Sequence, residues 1–204
     1  LSILPWQVAA RVTDQFRAGR VFLMGDAAHV VPPTGGYGMN TGIGDAHNLA
    51  WKLALVLAGR AGDALLDSYD TERRPVAQFT MGQSHLRLQH PALHWDMART
   101  AERAELGIAE FDVVHLGYRY PSGDGATSVA PPDLADLALD LDGSPGTRLP
   151  HCWVERAGGR ISTLDLAAGR LLGQIGNQRD ADVGAELQFR HSHLPVTVIH
   201  AMLH

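Results

Sequence analysis

A loop of unusual backbone shape constrains this chain more than any other segment. Residues 32–40 read Pro-Pro-Thr-Gly-Gly-Tyr-Gly-Met-Asn, and two prolines with three glycines in nine residues exclude a regular helix or strand. The apolar run 21–24 before it suits a strand buried on both faces, as in a parallel α/β sheet. After it we expect a helix that begins near Thr41, with Thr41 or Asp45 as its N-cap.

The predicted helix has a regular apolar face. Its small and apolar side chains recur at helical spacing, and Gly59 is a suitable C-terminal stop. The residues of this face are Ala46, Leu49, Ala50, Leu53, Ala54 and Leu57. We therefore expect this face to be buried against the rest of the domain.

The same segment suits a ligand. Asp26 follows the predicted strand, where open α/β sheets bind ligands, and Gly25 allows close approach of the backbone. The start of the following helix favours an anion or an electron-rich group. A hydroxylated chain at Asp26 with an electron-rich ring at residues 38–41 would fit. A nucleotide phosphate, or no ligand at all in an ordinary strand-to-helix connection, stays open.

Known phosphate-binding fingerprints are absent from this loop. Gly36-x-Gly38 is followed by Asn40 and Thr41 where a dinucleotide fingerprint has its third glycine, and no Gly-Lys-Ser/Thr occurs. The spacing alone therefore leaves the ligand unidentified.

Outside this segment the pattern is mixed helix and strand. We expect a strand at Ile3–Val12, followed by a polar connection at Arg11–Arg20. A helix should begin at about Asp63 and continue through Gln89, with Pro75 opening or kinking the continuation, and residues 92–110 should also be helical. Strands are expected at His151–Glu155, Leu171–Ile175 and Pro195–His200. Composition changes near Gly107, and residues 120–146 are rich in Gly, Pro, Ser and Asp. The predicted parts are 1–18, 19–106, a linker region 107–146, and 147–204.

Bulk properties exclude several function classes. A formal net charge of −5 with interspersed signs argues against a nucleic-acid surface. The apolar stretch 49–58 is too short to span a membrane, and the single cysteine, Cys152, excludes an internal disulfide or a Cys-x-x-Cys pair. His191 and His193 have no carboxylate or cysteine at ligand spacing, so we expect no metal site. A cytoplasmic location fits this composition.

Several stretches together resemble a known family. The matching stretches are Arg20–His29, Pro32–Gly42, Asp45–Leu53, Ser68–Tyr69 and Glu72–Ala77. In order and spacing they resemble the second flavin-binding region of the class A flavoprotein monooxygenases, the para-hydroxybenzoate hydroxylase and phenol hydroxylase group. The resemblance is close over about residues 19–78.

The resemblance implies roles for individual positions. Asp26 would bind the ribityl chain of FAD, and the amides of Gly38, Met39 and Asn40 would face the pyrimidine edge of the isoalloxazine. The helix from Thr41 would stabilise negative charge on reduced flavin, and Pro33 would lie beside the ring, where its carbonyl can face the substrate. The full cofactor-binding set is Gly25, Asp26, Pro33, Gly36, Gly38, Met39, Asn40 and Thr41.

No catalytic acid or base is assigned from the sequence. His29 belongs to the motif, and we expect it to pack or to form a hydrogen bond. Tyr37 and His47 lie close to the motif, and we expect each to have a packing or supporting role.

Residues 145–151 resemble the entry to the thioredoxin-like domain of the phenol and polyketide hydroxylase branch. The expected fold is therefore α/β (α+β overall): the C-terminal part of an FAD-binding para-hydroxybenzoate-hydroxylase-like fold, then a partial thioredoxin-like domain. The family's Gly-x-Gly-x-x-Gly unit is not in this sequence. We therefore expect a fragment that needs the N-terminal part of the same polypeptide to hold FAD tightly and to turn over; a homodimer is also compatible.

The resemblance implies a monooxygenase that uses FAD, NADPH or NADH, and O2. Reduced flavin would form a C4a-hydroperoxide that hydroxylates an aromatic substrate, a polycyclic polyketide or a simple phenol. A Baeyer–Villiger variant and a non-catalytic flavoprotein that captures an aromatic intermediate are alternatives. Flavin halogenases and isoprenoid reductases share the Gly-Asp motif, but the Pro-Pro-Thr-Gly-Gly loop and the Glu-Arg-Arg-Pro run favour the hydroxylases.

Overall fold

A computed structural model describes residues 8–96, 98–120, 139, 141, 146–156, 159–164, 173–176 and 197–200. The chain forms two compact units: the first comprises Leu1–Asp140 and Pro145–Thr147, and the second comprises Leu141–Ser144 and Arg148–His204. The helices of the first unit are α1 (Tyr37–Leu57), α2 (Ala64–Gln89), α3 (Pro91–Trp95), α4 (Thr100–Glu105) and α5 (Phe111–Leu116). Its strands are β1 (Arg11–Val12), β2 (Arg17–Ala18), β3 (Val21–Phe22) and β4 (His29–Val30), with a 3-10 turn at Gly25–Ala27.

The strands of the first unit pair as two short antiparallel ribbons. β1 pairs with β4, and β2 pairs with β3 through a tight turn in which Gly19 has φ 58°. The prediction of a parallel strand buried on both faces at 21–24 is wrong, since Val21 is 62% and Met24 41% exposed. The physical reason is the turn at Gly19, which reverses the chain directly before the apolar run.

The strand predicted at Ile3–Val12 is present only at its end. Residues 1–7 lie outside the described part of the chain, residues 8–10 have no regular structure, and β1 covers Arg11–Val12. The stretch predicted as a polar connection, Arg11–Arg20, contains both β1 and β2.

Helix α1 begins earlier than the sequence indicates. Its N-cap is Gly36, in the left-handed conformation with φ 64°, so neither Thr41 nor Asp45 caps it. Gly36 has no side chain to signal a cap, which is why the prediction began four residues late. The predicted stop is confirmed: Gly59 has φ 68°, and its N–H donates to Val56.

The buried face of α1 is largely polar, and the predicted apolar face is wrong in half of its positions. Ala50, Ala54 and Leu57 are exposed, Ala46 and Leu53 are half-buried, and only Leu49 is buried. The side chains that α1 buries are those of Tyr37, Thr41, Asp45, Asn48, Leu49, Lys52 and Leu55. Hydrophobic periodicity misses this face because Asp45, Asn48 and Lys52 are buried against charged partners on α2.

Helix α2 is the long support of the first unit. It runs unbroken through Pro75, close to the predicted 63–89, and packs along α1. One core cluster lies beneath the ribbons and comprises Phe16, Ala28, Leu49, Tyr69 and Ala77. A second comprises Tyr37, Ala109, Val113 and Val114.

The region predicted as one helix over 92–110 is two short helices. α3 ends at Trp95, and the Asp96 carboxylate accepts a hydrogen bond from the Ala98 N–H at 3.1 Å, which forms a turn before α4. α5 lies inside the predicted linker 107–146 and contributes to the second core cluster. The predicted domain boundaries stay predictions.

The described residues of the second unit form two strand pairs. β5 (Trp153–Arg156) and β6 (Gly159–Ser162) form an antiparallel hairpin, while β7 (Gly173–Gly176) and β8 (Thr197–His200) pair in parallel. Strands are therefore confirmed in all three predicted stretches, and β6 was not predicted. The thioredoxin-like character of this unit stays a prediction, and His191 and His193 lie outside the described residues.

No helix within the described ranges has both the length and the apolar character needed to cross a membrane.

Candidate flavin site

The 3-10 turn presents Asp26 to solvent on a fixed backbone. Gly25 has φ 55°, its N–H donates to Asp45 Oδ2 at 3.1 Å, and its carbonyl accepts from the Ala28 N–H at 2.8 Å. The Asp26 side chain is exposed and has no hydrogen-bond or ionic partner among the described residues. A free carboxylate on a held backbone is able to accept hydrogen bonds from a ligand.

Close packing explains two of the glycines around this turn. A Cβ on Gly42 would lie 3.2 Å from Gly25 Cα, so the 3-10 turn and α1 touch backbone to backbone. A side chain at Gly42 would push the turn and Asp26 away from the helix.

The chain before the turn is anchored by α2. The Tyr69 hydroxyl donates to the Leu23 carbonyl at 2.7 Å, and the Leu23 N–H donates to Phe16 at 2.9 Å. Burial raises the pKa of Tyr69 well above its ordinary value, so its hydroxyl remains a donor. The segment that carries Asp26 is thus held on both sides.

The loop after the turn is fastened to α2 by Ser84. The buried Ser84 hydroxyl oxygen lies 2.8 Å from the carbonyl oxygens of both Pro32 and Thr34. The Thr34 hydroxyl donates to the Ser84 carbonyl at 2.7 Å, and the Gly36 N–H donates to Pro33 at 3.1 Å. A loop of prolines and glycines therefore has one defined path into α1.

The N-terminus of α1 leaves backbone donors free. The N–H groups of Tyr37, Gly38 and Met39 precede the first intrahelical bonds and have no partner among the described residues. Met39 is 74% exposed, and Asn40 is also exposed. Free amides at the positive end of a 21-residue helix favour an electron-rich or anionic group.

Most of the predicted cofactor-binding residues lie at the surface of this region. Seven of the eight are exposed or half-exposed on the 3-10 turn, the loop and the first turn of α1, namely Gly25, Asp26, Pro33, Gly36, Gly38, Met39 and Asn40. Thr41 differs: it is buried, and its hydroxyl donates to the Tyr37 carbonyl at 2.9 Å. Its side chain is therefore committed inside the helix.

A buried ionic network lies directly behind the site, and sequence reasoning missed it. Asp45 Oδ2 lies 2.6 Å from His29 Nε2, and Asp45 Oδ1 accepts from Arg73 Nε at 2.8 Å. Burial alone would raise the pKa of Asp45, but the His29 hydrogen bond and the Arg73 charge outweigh it and lower the pKa. The carboxylate is therefore ionised, and His29 Nε2 donates to it.

Arg73 extends this network across the unit. Its guanidinium donates to the Thr41 carbonyl at 3.1 Å and to the Tyr120 hydroxyl at 3.0 Å, and it lies 5.3 Å from the centre of the Tyr118 ring. A Cβ on Gly44 would lie 2.8 Å from Arg73 Nη2. In the sequence, the Glu-Arg-Arg-Pro run pointed to Arg73, but it does not identify the residues that Arg73 contacts.

A second ion pair lies further along α1. Glu72 Oε2 accepts from Lys52 Nζ and from Asn48 Nδ2, each at 2.6 Å. Burial lowers the pKa of Lys52, and Glu72 offsets only part of this effect. These contacts bind α1 to α2 away from the site.

The three residues left without a catalytic role have different environments. His29 is buried and hydrogen-bonded, as predicted. Tyr37 is fully buried beneath Arg87, and burial raises its pKa to about 12. His47 is exposed on α1, and its expected packing or supporting role stays a prediction.

The residues present fit the ribityl and ring portion of FAD. A ribityl chain needs an acceptor for its hydroxyls, which the free Asp26 carboxylate supplies. The isoalloxazine needs donors at its pyrimidine edge, which the free first-turn amides of α1 supply.

Comparison with known proteins agrees with this fit. Residues 1–84 match the FAD binding domain family. The chain is 53% identical over 170 residues to a putative polyketide hydroxylase of Streptomyces halstedii, covering 79% of this chain and 29% of that protein. It is 47% identical over 162 residues to a tetracenomycin A2 monooxygenase-dioxygenase of Streptomyces glaucescens, covering 79% and 28%.

A solved structure supports the same relationship. The ternary complex of aklavinone-11 hydroxylase with FAD and aklavinone superposes with a TM-score of 0.69 at 32% identity, over 98% of this chain and 37% of that one. The chain spans about a third of the length of these relatives. It has the α/β fold of their FAD-binding part, and the chain belongs to the family of FAD-dependent aromatic and polyketide hydroxylases.

Proposed function

We propose that this chain supplies the ribityl and isoalloxazine half of the FAD site in a monooxygenase that hydroxylates an aromatic, polyketide-type substrate. The rest of the polypeptide would hold the ADP portion of FAD. NADH or NADPH would be the electron donor and O2 the oxygen source. The relatives named above, which are hydroxylases and monooxygenases, support this assignment.

One observation carries the proposal. The Asp26 carboxylate is exposed and unpartnered among the described residues, yet the amide directly before it is fixed by the buried Asp45. Stability alone gives no reason to hold an exposed carboxylate on so constrained a backbone. Binding of a polyhydroxylated chain does give one, because pre-organised acceptors lose little entropy on binding.

Each part of the site would have one task. Asp26 would accept hydrogen bonds from ribityl hydroxyls, with Gly25 allowing the approach. Gly36 would lead the loop into α1, the free amides of Gly38 and Met39 would face the pyrimidine edge with Asn40 beside them, and Pro33 would line the substrate side. Thr41 would act only through its backbone, because its hydroxyl is engaged within α1.

When bound, FAD would supply electron transfer from the nicotinamide and oxygen activation. The positive end of α1 would stabilise negative charge on the reduced ring. The Ser84-fastened loop would keep Pro33 and the first turn of α1 in place during the reaction. The reaction route expected from the resemblance stays a prediction, as does a homodimer.

Substitution of Asp26 tests the proposal. In the natural polypeptide that contains this sequence, Asp26→Ala should raise the Kd for FAD about ten- to hundredfold, because a charge-assisted hydrogen bond contributes roughly 1.5–3 kcal/mol. Asp14→Ala, which removes another exposed carboxylate, is the matched control and should leave the Kd unchanged. An unchanged FAD affinity in the Asp26 variant would refute the assigned role.

Substrate-dependent oxidation of NADH or NADPH separates the enzyme from the non-catalytic alternative. The proposal predicts that an aromatic polyketide accelerates this oxidation and gains one oxygen atom from O2. FAD-bound protein with no such acceleration on any aromatic tested would indicate a binding protein. Insertion of the oxygen into a ring carbon–carbon bond would indicate the Baeyer–Villiger variant.

A further inference from the structure

Asp45 joins three elements that meet behind Asp26. One carboxylate oxygen lies 3.1 Å from the Gly25 amide and 2.6 Å from His29 Nε2, and the other lies 2.8 Å from Arg73 Nε. These partners belong to the 3-10 turn, to β4 and to α2. The side chain is 0% exposed.

The Arg73 guanidinium balances the charge of Asp45, and His29 adds a hydrogen bond, but neither contact explains why Asp45 also accepts from Gly25. An ionised carboxylate in the interior needs donors on both oxygens, and His29 and Arg73 supply one each. The third donor is the backbone N–H directly before Asp26. Because Asp45 is held by the buried network, this hydrogen bond also restrains the backbone that carries the exposed Asp26 carboxylate.

The backbone contact at Gly42 acts in the same direction. The 3-10 turn is in van der Waals contact with α1 at Gly25 and Gly42, within one helical turn of Asp45. The amide hydrogen bond sets the orientation of the turn, and the glycine pair sets its distance from the helix. Together they fix where the Asp26 carboxylate lies relative to the free amides of α1.

We propose that Asp45 is a positioning residue for flavin binding: it places Asp26 for the ribityl chain by holding the Gly25 amide. This inference rests on the proposed function of Asp26. Asp45 would not touch the cofactor, so its effect must pass through Asp26, and that dependence can be measured.

A double-mutant cycle in the natural polypeptide tests it. Asn at position 45 keeps the size of the side chain, but one of its two terminal groups becomes a donor. If the amide oxygen stays on Arg73, the Gly25 N–H loses its acceptor. Asp45→Asn should then raise the Kd for FAD about three- to tenfold when Asp26 is present, and leave it unchanged in the Asp26→Ala background.

A matched control is Asn48→Ala. Asn48 is buried one turn further along the same helix, and its amide contacts Glu72 on α2 rather than the 3-10 turn. This variant should lower the melting temperature. Its effect on the Kd for FAD should be small, and the same with or without Asp26.

A second variant keeps the test decisive if Asp45→Asn does not fold. Gly42→Ala displaces the 3-10 turn by a few tenths of an ångström and changes no charge. It should also raise the Kd only when Asp26 is present.

The outcomes are distinguishable. If Asp45→Asn or Gly42→Ala, whichever folds, weakens FAD binding by the same factor with and without Asp26, the role is a general structural one and the inference is overturned. An Asp26→Ala variant that binds FAD normally would instead overturn the proposed function.

Discussion

The hydroxyl oxygen of Ser84 lies 2.8 Å from the carbonyl oxygen of Pro32, although the two residues are more than fifty positions apart in the sequence. This contact fastens the proline- and glycine-rich loop to the C-terminal part of helix α2. The loop has few side chains of its own with which to hold a conformation, so its shape is imposed from α2.

Removal of this hydroxyl should loosen the loop. We expect Ser84→Ala to weaken FAD binding about three- to tenfold and to lower stability by about 1 kcal/mol, because the carbonyls of Pro32 and Thr34 lose a buried donor. Fluorescence titration with FAD and thermal unfolding measure the two effects. Ser68→Ala is the matched control, since the Ser68 hydroxyl lies on the same helix and donates to the Leu65 carbonyl within it. It should leave the FAD affinity unchanged, and an equal loss there would contradict the prediction.

Two helical glycines should respond in opposite directions to alanine. Gly82→Ala on α2 meets nothing within 4 Å, so it should stabilise the protein by about 0.5–1 kcal/mol through lower chain entropy in the unfolded state. Gly44→Ala places a methyl group 2.8 Å from the buried Arg73 guanidinium and should destabilise it. Urea unfolding of the pair checks the signs, and a stabilising Gly44→Ala would show that Arg73 moves freely.

The free energy of unfolding should fall more when Glu72 loses its charge than when Lys52 is removed from their ion pair. Glu72→Gln leaves a buried ammonium without its counter-charge and should cost roughly 2–4 kcal/mol. Lys52→Met, which leaves Glu72 partly exposed to water, should cost less. Because burial already lowers the pKa of Lys52, raising the pH should deprotonate it and shrink the Glu72→Gln effect. Unfolding free energies measured across alkaline pH test this, and a constant difference would refute it.

Acid should reveal the contribution of Asp45. The pKa of Asp45 is lowered in the folded state, so its carboxylate stabilises the protein above the ordinary pKa of 3.8, and this stability is lost as pH falls through the lower folded value. Protonation removes the charge that faces His29 and Arg73. We expect the stability difference between wild type and Asp45→Asn to narrow below pH 3.8. A difference that widens in acid would contradict the assignment.

The exposed residues of the candidate flavin site could be predicted from the sequence more readily than the buried residues that hold them in place. Asp26 could be singled out because a Gly-Asp pair after an apolar run suits a ligand, and Gly59 because a glycine ends helices in the left-handed conformation. The polar face of α1 could not be predicted. Asp45 and Lys52 interrupt an apolar pattern, and only the fold shows that Arg73 and Glu72 lie opposite them.

The start of α1 shows a different limit. Gly36 caps the helix without a side-chain hydrogen bond, so the usual cap signal is absent at the true start, and the sequence pointed instead to Thr41 or Asp45. The error matters for the site, because the earlier start places Gly38 and Met39 in the first turn, where their amides are free.

Helix α2 holds both sides of the flavin half-site from a single rigid element. Tyr69 fastens the chain before Asp26, and Ser84 fastens the loop after it, fifteen residues along the same helix. A one-residue insertion between them would rotate one anchor by roughly 100° relative to the other and shift it by about 1.5 Å. The length of this stretch of α2 is therefore under as much constraint as any residue that would touch the cofactor, and insertions or deletions there should be tolerated less well than most substitutions.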